Sequence, residues 1–355
     1  MLSVSCLASH AQKFVWDADF DYKFDNREYA SMKNPYTSAT YFSVRLTPEI
    51  GLEWGKGMKR HRIMAGADVI IDFGTNSQRI PEMVLYYNYM RRGDATAFGV
   101  WAGRFPRTNM IGTYSNAFFS EYVTYYDSNL DGLLINYAVR NGYVELVCDW
   151  NSMYAADRRE KFMIFSSGLM NRGRLYGGYN FSMFHHSVSG TEKGVVDNLL
   201  IYPYIGFDMS YWPTLFPTLY IQAGWLQAFQ NDRVYVGKYV TPGGFQLEAR
   251  AETRWGFGVY ETLYLGGNLM PYYYSTLPDQ PAYGDGLYFG EPFYRTEDGI
   301  YNRLEIYWKR NFTSDISLKI SSVHHYDGNS WGWQQLLELQ VKISDRMFKH
   351  RRPRE

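Results

Sequence analysis

Residues 41–74, YFSVRLTPEIGLEWGKGMKRHRIMAGADVIIDFG, decide the fold. In the first half Phe42, Val44, Leu46, Pro48, Ile50, Leu52 and Trp54 alternate with Ser43, Arg45, Thr47, Glu49, Gly51 and Glu53. After the Gly55-Lys56-Gly57 turn the phase resets, with Ile63, Ala65, Ala67, Val69, Ile71 and Phe73 on one side and Arg62, Met64, Gly66, Asp68, Ile70 and Asp72 on the other. A two-residue period held this long is an extended strand with one apolar face. Both runs exceed the five or six residues usual in soluble sheets, and they satisfy the roughly nine to eleven that a tilted strand needs to cross a bilayer. They predict an all-β, antiparallel transmembrane β-barrel, its apolar face on lipid and its charged face inside.

The same period recurs in about sixteen spans: 14–25, 41–54, 60–73, 82–91, 95–106, 131–140, 143–153, 160–171, 174–187, 198–212, 217–230, 244–255, 257–267, 300–310, 314–326 and 331–347. Fourteen strands is the alternative count. Short connections such as Arg92-Gly93-Asp94 and Asn141-Gly142 alternate with longer ones, among them 26–40, 107–130 and 268–299. That alternation suits a barrel with tight periplasmic turns, larger extracellular loops and both chain ends in the periplasm.

Composition agrees with this reading by what it excludes. Thirty-six basic and 36 acidic residues give no net charge, so nothing points to a nucleic-acid partner. No apolar run reaches the roughly twenty residues of a spanning helix, and a mean hydropathy of −0.38 is what lumen-facing polar residues leave in a barrel. Aromatic residues make up 18% of the chain, with 33 Tyr, as expected where a wall passes from hydrocarbon into headgroups. Residues 1–11 read as a signal peptide ending in Ser9-His10-Ala11, and the missing basic segment implies a leader that begins upstream of Met1. Residues 12–355 then form one outer-membrane barrel domain, in which Cys148 is the lone cysteine and no internal disulfide can form. Phe348 stands near the chain end but out of phase with the apolar face, and a basic tail follows it. No P-loop, dinucleotide fingerprint or cysteine-based metal spacing is present, so no cofactor or metal is expected.

In layout the chain resembles Gram-negative outer-membrane porins, over nearly the whole length after the leader and without a family-specific motif. That resemblance implies a third extracellular loop folded into the channel. The third long connection, RTNMIGTYSNAFFSEYVTYYDSNL at 107–130, stands in that place, so Tyr114, Glu121, Tyr125 and Asp127 become candidates for a constriction. It also implies passive diffusion of small polar solutes, with homo-oligomers common, although no interface signature is visible.

With the apolar face outward, the interior receives Asp17, Asp19, Asp21 and Asp25, then Arg45, Glu49, Glu53, Asp68 and Asp72. Further round come Arg104, Glu145, Asp149, Glu248, Arg250, Glu252, Arg254, Arg303, Glu305 and Lys309. Buried charge is too costly without water or a partner, so this wall implies a wet mixed-sign pore or a network of ion pairs that plugs it.

Two other clusters carry alternatives. His185 and Ser187 resemble the His-x-Ser arrangement of outer-membrane acyl hydrolases, which would make Ser187 the nucleophile and His185 its base. The Asn-Gly that follows the serine in that family is absent here, where Val188-Ser189-Gly190 stands instead, and no orienting acid is evident. The bland reading is interfacial histidines at a strand end, and the pair His324-His325 reads as surface histidines too. The Tyr-, Pro- and Gly-rich stretch 268–299 suits either a lid packed on itself or an exposed surface that stacks on sugars or docks a protein. The main expectation is a channel; a rim hydrolase, and a closed barrel acting as adhesin or as part of an envelope complex, are the alternatives.

Overall fold

The computed structural model describes residues 12–32, 36–190, 193–210 and 214–345. Sixteen strands follow one another: β1 Lys13–Glu28, β2 Ala39–Trp54, β3 Lys59–Asp72, β4 Glu82–Arg92, β5 Thr96–Pro106, β6 Asn129–Val139, β7 Gly142–Ser152 and β8 Lys161–Arg172, then β9 Leu175–His186, β10 Val196–Asp208, β11 Thr218–Asp232, β12 Gly243–Glu252, β13 Phe257–Gly266, β14 Ile300–Asn311, β15 Ile316–Tyr326 and β16 Trp331–Ser344. Every period-two span overlaps one of them, although 198–212 and 244–255 run past the ends of β10 and β12, and the fourteen-strand count falls away. Each strand pairs antiparallel with its sequence neighbours, and β16 returns to β1, which closes the barrel. Closure leaves no open edge, the condition for a sheet surrounded by hydrocarbon. The proposed leader and Phe348 with its basic tail lie outside the described residues.

Residues opposite one another on neighbouring strands share a face, so the register fixes what each side presents. Phe20 faces Leu46 and Val341, all on the outside, whereas Asp21 faces Arg45 and Gln340 on the inside. The outer wall carries exposed Leu46, Ile50, Ile63, Leu85, Leu146 and Ile205, a band that no water-bathed surface would sustain but that lipid stabilises. Aromatic girdles border it. Trp54, His61, Tyr89 and Phe98 stack in succession toward the short-turn end, and Trp150, Phe162 and His185 do so at the long-loop end. Much of the tyrosine content lies elsewhere: Tyr202, Tyr264, Tyr294 and Tyr301 are fully buried inside the barrel. The girdle expectation therefore accounts for only part of the aromatic composition.

Two local features mark the wall near the loops. Pro48 lacks an N–H, and the β2–β3 register runs from Leu46–Val69 to Glu49–Gly66 without a pair at Thr47 or Pro48. Gly103 and Gly132 face each other across β5 and β6 with φ of 122° and 156°. A Cβ on Gly103 would stand 2.3 Å from the Leu85 carbonyl oxygen.

Candidate functional site

The inner wall spends most of its charge on holding one loop. L3, residues 107–128, joins β5 to β6 and carries the short helix α1, Glu121–Tyr126, whose N-terminus is capped by the Ser120 hydroxyl accepting the Val123 N–H at 3.1 Å. Arg107 donates to the Asp127 carboxylate at 2.8 Å and the Asp149 carboxylate at 3.3 Å, tying the two ends of L3 to each other and to β7. Glu145 accepts the backbone N–H groups of Ile111 (2.6 Å) and Gly112 (3.3 Å) and the Tyr114 hydroxyl (3.2 Å). Asn180 on β9 accepts the Ser115 N–H at 3.1 Å, and Gln246 on β12 donates to the Ser115 hydroxyl at 2.9 Å. Arg303 on β14 donates to Glu121 at 2.6 Å, and Ser43 on β2 donates to the Tyr125 hydroxyl at 3.1 Å. Asp68 on β3 accepts from Arg45 (2.8 Å), Ser128 (2.6 Å) and Asn129 (2.9 Å). L3 thus meets β7, β9, β12, β14, β2 and β3 in turn, a circuit around the inside of the barrel.

The second inward loop fills that circuit. L7, residues 267–299, joins β13 to β14. Ser120 donates its N–H to the Phe289 carbonyl at 2.8 Å, Glu291 donates its N–H to the Asn116 carbonyl at 2.8 Å, and the Glu291 carboxylate accepts the Glu121 N–H at 3.2 Å. A Cβ on Gly290 would lie 2.1 Å from the Ala117 carbonyl oxygen, so a glycine is needed where the loops cross. Phe293 stacks on His325 with centroids 4.1 Å apart and on Tyr36 at 4.3 Å. The Arg295 guanidinium sits 3.9 Å from the Tyr273 ring centre and donates to the Tyr274 hydroxyl at 2.7 Å. L7 is accordingly a packed inner layer around Phe293, which is buried, while Tyr274 stays exposed.

Burial at the crossing perturbs the loop groups. It pushes the Tyr125 phenol up to about 12, and it raises the Tyr114 phenol too, with the nearby Glu145 charge adding to the effect. Burial, then repulsion from Glu121, raises the Glu291 carboxyl against the pull of Arg303 and Arg27.

Open space remains at the sides. A cavity of about 450 Å³ along β1, β2 and β16 is lined by Asp17, Asp19, Asp21, Arg45, Arg62 and Lys342. Another of about 330 Å³ beneath α1 shares Asp21, Arg45, Thr108 and Gln340 with it. Two more, of about 270 Å³ and 360 Å³, lie under Thr113–Ser115 and beside Asp127, Asp149 and Asp285.

Most of the charged residues named from the sequence do stand on the inner face, but partnered. Glu49 accepts the Tyr86 hydroxyl at 2.8 Å, Glu53 pairs with Arg62 at 2.6 Å and Asp72 with Arg79 at 2.8 Å. Glu248 accepts the Tyr202 and Tyr260 hydroxyls, Arg250 and Glu252 share the Tyr307 hydroxyl, and Glu305 pairs with Arg303 at 3.2 Å. Arg104 stands opposite Leu85 and pairs with Asp131, and both border the cavity of about 360 Å³ that Asp127 and Asp149 also line. Arg254 is a correction, since β12 ends at Glu252 and the Arg254 side chain lies over Trp255, 4.9 Å from its ring centre, in the turn.

The histidine readings also change. His185 points outward and stacks on Phe162 at 4.9 Å, whereas Ser187 is buried just past the strand, its carbonyl accepting from Arg159 at 2.9 Å. Among the described residues no hydrogen bond joins the two, so the nucleophile and base of a hydrolase are not assembled. His325, read as a surface residue, is buried against Phe293. Among the described residues no group of three or more His, Cys, Asp or Glu is placed to hold a metal. The sequence reading missed Asn180 and Gln246, which anchor L3 without charge; the period-two phase of their strands was the signal that marks them as inward.

No family model matches the chain, and no curated protein matches it. Among solved structures it is similar to OprD, an outer membrane protein of Pseudomonas aeruginosa, at a TM-score of 0.52 and 9% identity, over 94% of this chain and 96% of that one. It is also similar to a loop L8 deletion mutant of OmpT, an outer membrane protein of Vibrio cholerae, at a TM-score of 0.53 and 8% identity, over 94% of this chain and all of that one. At such identities the likeness is one of fold: the chain has the porin-like barrel.

Proposed function

We propose that the protein is an outer-membrane channel for passive diffusion of small hydrophilic solutes, with the route confined to the side of the lumen lined by β1, β2 and β16. The supporting observation is the pair of adjoining cavities there, of about 450 Å³ and 330 Å³, into which both acidic and basic side chains face. Charges in such a space need water to offset their desolvation, and a watered path of mixed sign passes polar solutes with little preference for charge. L3 and L7 fill much of the remaining cross-section with packed aromatics, so conductance should be small for a barrel of this strand number. Purified protein in planar bilayers should give discrete, low-conductance openings. A protein that never conducts, over a range of voltage and salt, overturns the reading.

The same L3–L7 layer favours a second reading, a closed barrel that serves as an adhesin or as a subunit of an envelope complex. A stoichiometric partner recovered with a non-conducting protein would select it.

A further inference from the structure

The wall across the lumen from the charged cavities is built on a different principle. On β9 and β10 tyrosines alternate with glycines so that each ring faces a glycine on the next strand: Tyr176 opposite Gly206, and Tyr204 opposite Gly178. A Cβ on Gly206 would come within 2.2 Å of the Tyr176 ring, and one on Gly178 within 2.6 Å of the Tyr204 ring carbon that bears the hydroxyl. The missing side chains let both rings approach the neighbouring backbone; their planes meet at 74°, Tyr204 is buried with its ring 5.2 Å from that of Tyr202, and Tyr176 stays half-buried. The two rings are neighbours, with centroids 6.4 Å apart, and they border the cavity of about 270 Å³ that L3 roofs at Thr113–Ser115.

Two carboxylates line this cavity: Asp208, which accepts the Ser210 N–H at 2.8 Å, and Glu248. Glu248 takes the hydroxyls of Tyr202 (3.1 Å) and Tyr260 (2.9 Å) and the amide of Gln222, whose own oxygen accepts the Tyr176 hydroxyl at 3.0 Å. The carboxylate is thereby answered within the wall. The Tyr204 hydroxyl and the Asn171 amide line the same cavity and have no hydrogen-bond partner among the described residues.

We infer that this cavity is a subsite for one ring of a neutral sugar, stacked on Tyr176 and hydrogen-bonded by Asn171 and the Tyr204 hydroxyl. The inference rests on the channel reading, because it makes neutral saccharides a substrate class of the same lumen. The apolar C–H face of a sugar ring suits the negative face of an aromatic ring, and its hydroxyls need unengaged amides and hydroxyls beside it. The cavity is near the lower end of the ~300–1,000 Å³ typical of small-molecule sites, a size for one ring. An organic cation would also favour aromatic faces and the Asp208 carboxylate, but a quaternary ammonium carries no group to answer the Asn171 amide and the Tyr204 hydroxyl.

Glucose and maltose titrated into the purified barrel, with intrinsic fluorescence as readout, should give saturable changes with a midpoint on the order of millimolar. Tyr204→Ala should weaken binding roughly fivefold or more, and so should Gly206→Ala, whose new Cβ lifts Tyr176 off the wall. Tyr176→Phe should retain most of the binding, which also shows that a variant at this place folds. A protein that conducts ions but shows no saturable response to either sugar overturns the subsite and spares the channel. Saturable binding of tetramethylammonium in place of sugar overturns it as well, whereas sugar binding without conductance supports the subsite and sinks the channel.

Discussion

Arg303 shows how little of the lumen's charge is idle. Its side chain is 1% exposed, yet it holds Glu121 of L3 at 2.6 Å and Glu305 of its own strand at 3.2 Å. Removing one member of such a group strands the other charges, at a cost of ~3–5 kcal/mol. Arg303→Ala should therefore detach α1 from β14: protease cleavage within 107–128 should rise and unitary conductance should increase. Cleavage and conductance equal to wild type would show that the contact does not anchor L3. The sequence placed Arg303 and Glu145 correctly on the inner face, because phase alone decides that. It read them as residues in contact with passing solute, because an alternating pattern is silent about which loop bends back to meet them.

At the scale of the element, L7 is the part whose position depends on protonation. Glu291 is held among Glu121 of α1, Arg303 of β14 and Arg27 of β1, and burial raises its carboxyl above the ordinary 4.5. A carboxyl raised on docking stabilises the docked loop fully below its free pKa and loses that contribution as pH climbs through the raised value. Protection of L7 from protease should thus be greatest at pH below the ordinary carboxyl value of 4.5 and should decline as the pH rises above it. Glu291→Gln should keep L7 protected across that range. Wild-type protection that stays flat, or a Gln variant that follows wild type, would remove Glu291 as the titrating group. The stretch 268–299 was legible as aromatic, but whether it packed as a lid or stood exposed to a sugar or a protein was not. The crossing at Gly290 and Ala117 joins segments far apart in sequence, and no local pattern encodes it.

For the whole molecule the governing fact is closure. The β1–β16 ladder leaves a wall with exposed Leu46, Ile50, Leu85 and Ile205 and no edge at which water could replace a lost partner. Protein unfolded in urea should regain strand structure when diluted into detergent micelles or lipid, and should aggregate in plain buffer. A monodisperse, folded monomer in buffer alone would contradict a lipid-facing wall.

Local chemistry sufficed for strand number, strand limits and the sidedness of nearly every residue, since a strand has two faces and lipid tolerates only one kind. Stretch 41–74 already contains that rule, and it fails at Arg254, where the strand has ended and hydrocarbon no longer dictates the outer residue. What fills the barrel was settled only by the folded chain. Glu145 reaching Gly112, Arg303 reaching Glu121 and Phe293 stacking on His325 are contacts between distant parts of the chain, selected by the space inside a closed wall rather than by any period along it.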